Sequence, residues 1–117
     1  MFREIDNLYI HIRNNRDFQK VYKYGKSLAN RYLVMYVMKN DLSENRLGIS
    51  VSKKVGNSVV RHRITRLIRE SYRLSCNKFE KGYDIVVIAR ITAKGKSYYD
   101  ICSALIHLGK IHNIVSE

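Results

Sequence analysis

Proline and tryptophan are absent from this chain, acidic residues are scarce, and only two cysteines and six glycines occur in 117 residues. Each shortage excludes something. Without proline there is no proline-rich linker or stalk. With no repeat or low-complexity tract either, the length fits one domain with one core, residues 1–117. Cys76 and Cys102 cannot make a disulfide framework, and with four scattered histidines they offer no zinc-ligand spacing, so a reduced cytoplasmic protein is expected. No apolar run approaches the ~18 residues of a membrane span, so no membrane partner is expected. The N-terminal MFREIDNLYI carries charge among its first six residues and no apolar stretch before a small-residue cleavage site, unlike a secretory signal. Paired carboxylates, a phosphate-cradling glycine loop and a nucleophile elbow are all missing, so no catalytic residue and no metal ligand is assigned.

What is abundant is positive charge. Twenty-two Lys and Arg against ten Asp and Glu give a formal charge of +12, which repels itself in the free protein and attracts a polyanion. Nucleic acid is the natural class of partner.

The local patterns give an order α-β-β-α-β-α. Residues 14–24 place Phe18, Val21 and Tyr22 at helical spacing between a capping Asn14 and a terminating Gly25. Residues 31–38 are β-branched and aromatic, with Tyr32, Val34, Tyr36 and Met38 on one face and Leu33, Met35 and Val37 on the other. The polar stretch Asp41–Asn45 reads as a hairpin connection to a strand in which Leu47, Ile49 and Val51 alternate with small residues. Gly56-Asn57-Ser58 supplies a turn and cap for a helix from about 58 to 76. Tyr83 to Ile91 is a nearly continuous apolar strand, and Ser97 with Asp100 matches a capping box before a last helix. A further short strand is compatible with Ser27 to Asn30. The fold class expected is an α/β (α+β) two-layer sandwich around a sheet of three or four strands.

The helix from about 58 carries the strongest signal. On a helical wheel Val60, Ile64, Leu67, Ile68 and Leu74 form one stripe, with Arg66, Arg69 and Arg73 nearly opposite and Arg61 and Arg63 at its margins. Lys53 and Lys54 lie just upstream. Glu70 is the sole acid from Val51 to Leu74, whereas a helix decorated for solubility mixes signs and gains from i,i+4 pairs. Cations at a helix amino end also oppose the macrodipole, a conflict that a bound phosphate resolves because the free N–H groups there receive it. A solvated basic face is the plain alternative; the missing acids favour nucleic acid. His62, among these arginines, is an RNA contact or a surface position before it is a general base.

Phe18, Tyr22 and Tyr36 admit two readings. Rings beside basic groups hold single-stranded nucleic acid by stacking. The same spacing also packs a core.

From Lys53 to Arg69 the sequence KKVGNSVVRHRITRLIR closely resembles the signature of the bacterial ribonuclease P protein subunit, in which a lysine-rich strand end leads through G-N-A-V to R-N-R and K-R-x-x-R. The resemblance extends to Asp17–Tyr22, Gly25–Ser27, Ala29–Arg31, Leu47–Ser52 and Tyr83–Arg90, nearly the whole chain. It implies a left-handed β-α-β crossover, against the general preference. It implies a protein that joins a large catalytic RNA, one copy per RNA, to remove the 5′ leader of precursor tRNA by hydrolysis. Mg²⁺ held mainly by RNA supplies the metal chemistry. Carried over residue by residue, Lys53, Lys54, Asn57, Arg61, His62, Arg63, Arg66 and Arg69 are the catalytic-RNA set; Phe18, Tyr22 and Tyr36 are the leader-binding set. Residues 1–12 or so would be a flexible or leader-proximal segment. The chain departs from the family at His62, where Asn is usual, and at Thr65, a frequent Lys. A histidine loses the paired donor and acceptor of the amide. A ribosomal-type RNA clamp and a DNA binder are the competing classes.

Overall fold

The computed structural model describes residues 9–116. Its five-stranded sheet runs β1 (Ile10–His11), β4 (Arg46–Ser50), β5 (Tyr83–Ala89), β3 (Leu33–Lys39), β2 (Lys26–Ala29). Three helices accompany it: α1 (Asn15–Tyr24), α2 (Ser58–Ser75) and α3 (Tyr98–Ile111). β5 takes the centre, as a strand apolar on both faces must. It pairs in parallel with β4, to which α2 connects it, and antiparallel with β3.

The helices lie on both faces. Leu33, Met35, Val37, Leu47, Ile85 and Val87 pack with Ile64, Ile68 and Tyr72 of α2 and Ile101, Leu105 and Leu108 of α3 in the larger core. On the other face Val86 meets Ile12 and Val21, with Phe18, Tyr22, Tyr36, Met38 and Ile88 packed around them. α1 thus covers the face away from α2 and α3.

Four sequence expectations change. β3 and β4 do not form a hairpin: β5 lies between them, because the most apolar strand gains most from two neighbours and two covered faces. The sheet has five strands rather than three or four, since β2 pairs with β3 and the two-residue β1 adds to β4. Residues 9–12 are packed, with Tyr9 and Ile12 buried and Tyr9 edge-on to Tyr72 at 4.8 Å; residues 1–8 lie outside the described residues. On α2, Leu74 is exposed, while Tyr72, Ser71 and Ser75 are buried in its stead. Ser71 Oγ donates to the Leu67 carbonyl at 2.7 Å and Ser75 Oγ to the Ser71 carbonyl at 2.6 Å, so neither serine is buried without a partner.

Two polar clusters fix the elements against one another. Buried Asn45 donates to Tyr72 Oη at 3.2 Å and to the Glu80 carbonyl at 2.8 Å, and accepts from Tyr83 N at 2.9 Å. It ties β4 to α2 and to the start of β5. Burial pushes the Tyr72 phenol up to about 12, keeping it neutral. Arg46 clasps Asp84 through Nε at 2.8 Å and Nη2 at 2.6 Å, and reaches Asp17 of α1 through Nη1 at 3.2 Å. One arginine therefore joins β4, β5 and α1.

Candidate nucleic-acid interface

β4 and β5 run parallel and β3 runs against them, so the chain leaves β4, leaves β5 and enters β3 at one end of the sheet. α2 begins there. The turn closes with Val55 N donating to the Ser52 carbonyl at 3.1 Å while the Val55 side chain is buried. At Gly56 a Cβ would stand 2.7 Å from Val60 Cγ1, so glycine is what lets the turn approach the helix. Asn57 then caps α2: its side chain accepts from Val60 N at 3.0 Å, and its carbonyl from Arg61 N at 2.9 Å.

This local design sets out the predicted basic set. Lys53, Lys54, His62, Arg63, Arg66 and Arg69 are exposed, and Arg61 is half-buried. No acid stands in the first turn of α2. Arg61 Nε donates to the Gly56 carbonyl at 3.2 Å, and Arg63 Nη2 to the Lys96 carbonyl at 3.0 Å. Both bonds orient a guanidinium without neutralising it, and each leaves several of its five N–H donors available. Among the described residues none of these cations is paired with a carboxylate; Glu70, the one acid of α2, is taken by Arg73. The Arg73 hydrogen bond holds the Glu70 carboxyl below its ordinary range, with a smaller contribution from the Arg66 charge, so the pair stays ionised and one acid faces several arginines.

Asn57 differs from its neighbours. Its carboxamide oxygen is spent on the cap, so only Nδ2 remains for an outside contact. His62 sits exposed among the cations with no hydrogen-bond partner among the described residues. Sequence reasoning missed His11 and Arg13, which line a cleft of about 350 Å³ together with Ile12, Leu47, Ile49 and Arg69. Their alternation with Ile10 and Ile12 was the available signal, too short to read without knowing that β1 pairs with β4.

The three predicted aromatics do come together, on the face of the sheet covered by α1. The Phe18 and Tyr22 centroids are 6.2 Å apart, and Tyr22 meets Tyr36 edge-on at 5.1 Å. A Cβ on Gly48 would stand 2.7 Å from the Phe18 ring, so that ring lies directly on β4. All three are half-buried. The packing reading holds in part: the rings lie against Val21 and Val86, and each stays half-exposed. The strip occupies the α1 face, opposite the one covered by α2.

No group of three His, Cys, Asp or Glu side chains is gathered among the described residues. Both thiols are half-buried and free. Among the described residues no helix is long and apolar enough to cross a membrane.

Comparison with known proteins agrees with the geometry. A profile described as Ribonuclease P matches residues 9–112. The chain is 66% identical over 106 residues to the ribonuclease P protein component of Lachnoclostridium phytofermentans, covering 91% of each. To that of Clostridium botulinum strain Langeland it is 56% identical over 100 residues, 85% of this chain and 90% of the relative. The Staphylococcus aureus RNase P protein superposes with a TM-score of 0.83 at 43% identity, over 91% of this chain and 97% of that one. The Thermotoga maritima RNase P protein gives 0.80 at 35%, over 86% and 96%.

Proposed function

Because the chain belongs to the ribonuclease P protein family, we propose that it binds the catalytic RNA of ribonuclease P and the 5′ leader of precursor tRNA, assisting removal of that leader. The observation that carries the RNA contact is the surface of α2 and the turn before it: Lys53, Lys54, Arg63, Arg66 and Arg69 all exposed, with no carboxylate partner among the described residues. RNA brought close to RNA repels through its phosphates. A protein that neutralises some of them lowers the cost of assembling enzyme and substrate. Arg61, His62 and the Asn57 amide complete this contact at the start of α2.

The leader lies on the opposite face, its unpaired bases stacked against Phe18, Tyr22 and Tyr36. Two faces then serve two RNAs, one folded and one single-stranded. The hydrolysis belongs to the catalytic RNA with Mg²⁺ held there, and no step is assigned to a side chain of this chain. The protein acts on binding and positioning, as one copy per RNA.

Arg66→Ala tests the reading. Against the cognate RNA, the slope of log affinity on log salt is expected to fall by about 0.7–0.9, the share of one phosphate contact. An unchanged slope and affinity would remove α2 from the interface.

A further inference from the structure

The sheet end where α2 begins also gathers cations that lie outside the catalytic-RNA set. Arg31 and Tyr32 lead into β3, and Arg90, Lys94 and Lys96 follow β5. The two segments are stitched by backbone: Arg90 N donates to the Tyr32 carbonyl at 2.9 Å, Arg90 Nη1 to the Asn30 carbonyl at 2.6 Å, and Thr92 Oγ1 to the Arg31 carbonyl. Ala93, fully buried, pins the middle of the 90–96 loop to the core. The loop is therefore held in place, with Lys94 exposed and Lys96 half-buried.

The side chains are ordered too. The Arg31 guanidinium stands 5.6 Å and the Lys96 ammonium 5.5 Å from the centroid of the half-buried Tyr32 ring. Cation–π attraction fixes two flexible side chains beside one ring, which reduces the entropy lost when an anion arrives. It leaves their charge intact. Asp100, the acid nearest Lys94 and Lys96 in sequence, lines the same cleft as Arg31 and Tyr32. Its carboxylate accepts from Ser97 N at 3.2 Å and Ser97 Oγ at 3.1 Å in the capping box of α3 and makes no ion pair with the patch among the described residues. None of Arg31, Arg90, Lys94 or Lys96 forms an ion pair among the described residues.

This patch is continuous with α2, because Arg63 donates to the carbonyl of Lys96 itself. Like charges gathered by these bonds and an aromatic ring, and outnumbering the Asp100 carboxylate that lines the Arg31 cleft, make a surface completed by an outside polyanion.

We propose that Arg31, Lys94 and Lys96 form a second phosphate-binding patch that extends the catalytic-RNA contact from the start of α2 across the end of the sheet. The proposal rests on the RNA-binding reading of α2 and adds to it a surface on β3 and the 90–96 loop. The catalytic RNA is the occupant, rather than the tRNA leader, because the bridge from the patch runs to Arg63 of α2. The aromatic strip lies on the other face of the sheet.

The test uses the full chain with its cognate catalytic RNA and precursor tRNA, comparing Arg31→Ala/Lys96→Ala, Lys94→Ala and Arg66→Ala. Circular dichroism and the thermal midpoint confirm folding; Lys94, exposed and outside the Tyr32 contact, provides a variant that does not disturb packing. The double variant is expected to lose about 1.4–1.8 from the salt slope for catalytic RNA, with affinity down roughly 10- to 40-fold at ~0.1 M salt. Lys94→Ala is expected to lose about half that slope. If these slopes are unchanged while Arg66→Ala lowers its own, the patch is a solvated face and the proposal fails alone. If Arg66→Ala is also without effect, the α2 reading fails with it. A loss confined to precursor tRNA would overturn the assignment to catalytic RNA.

Discussion

Arg46→Ala is expected to destabilise the fold by about 3–5 kcal/mol, the cost of leaving a buried carboxylate without its charge partner. Asp84 is only 1% exposed, and Arg46 gives it two hydrogen bonds in the bidentate geometry that binds a carboxylate most strongly. The Arg46–Asp17 contact is more open to solvent and contributes far less to stability, but it holds the first turn of α1 to the sheet. The loss is measured by urea unfolding. Replacing the pair together, Arg46→Met with Asp84→Leu, should recover most of it, since the only carboxylate left without Arg46 is the partly exposed Asp17.

The same site predicts a pH dependence. Burial acts to raise the Asp84 carboxyl, but the hydrogen bonds from Arg46 and Asn40 outweigh it and hold the group below its ordinary value. A depressed carboxyl contributes stability above its unfolded pKa of about 3.9 and loses it as pH falls through the lower folded value. Wild-type stability should therefore fall in acid, below about pH 4. In Arg46→Ala, burial dominates and the carboxyl rises above its ordinary range. The gap between variant and wild type should then narrow on acidification, and a gap that widens would contradict this account of Asp84.

Phe18→Ala should weaken binding of leader-bearing tRNA about 5- to 150-fold while leaving mature tRNA nearly unaffected. That range corresponds to the ~1–3 kcal/mol that one stacked base contributes. Affinity for catalytic RNA should change little, because Phe18 and α2 lie on opposite faces of the sheet. The ring also packs on Gly48, so some stability goes with it. The ratio between the two tRNAs, rather than either affinity, is the quantity to read. Equal losses for both would leave the ring strip as core packing only.

What the sequence made legible was local. The Asn14 cap and Gly25 stop of α1, the Asn57 cap of α2 and the Ser97–Asp100 capping box all involve partners within a few residues, and each stands where the pattern placed it. The continuous apolar run of β5 likewise announced a strand covered on both faces. The hairpin reading of residues 41–45 failed because strand pairing is non-local: nothing in that turn encodes that β5, some forty residues on, takes the place between β3 and β4.

The buried face of α2 was misread at Leu74 for a different reason. Hydrophobicity ranks leucine above serine, but Ser71 and Ser75 satisfy their hydroxyls on the preceding turn and so can be buried. The Arg46–Asp84–Asp17 cluster draws on three separate segments and was not legible at all. The basic set was legible because its signal is an absence, the missing acids, and an absence survives ignorance of the tertiary structure. At Asn57 the cap read from the sequence stands, made by the carboxamide oxygen.

Binding of the wild-type chain to its cognate catalytic RNA over a salt series, with duplex DNA of similar length as competitor, tests the whole account most directly. One phosphate each for Lys53, Lys54, Arg63, Arg66 and Arg69 predicts a slope of about −3.5 to −4.5, steeper with the second patch, and a clear preference for the RNA. A slope near zero, or duplex DNA bound as tightly, would contradict it.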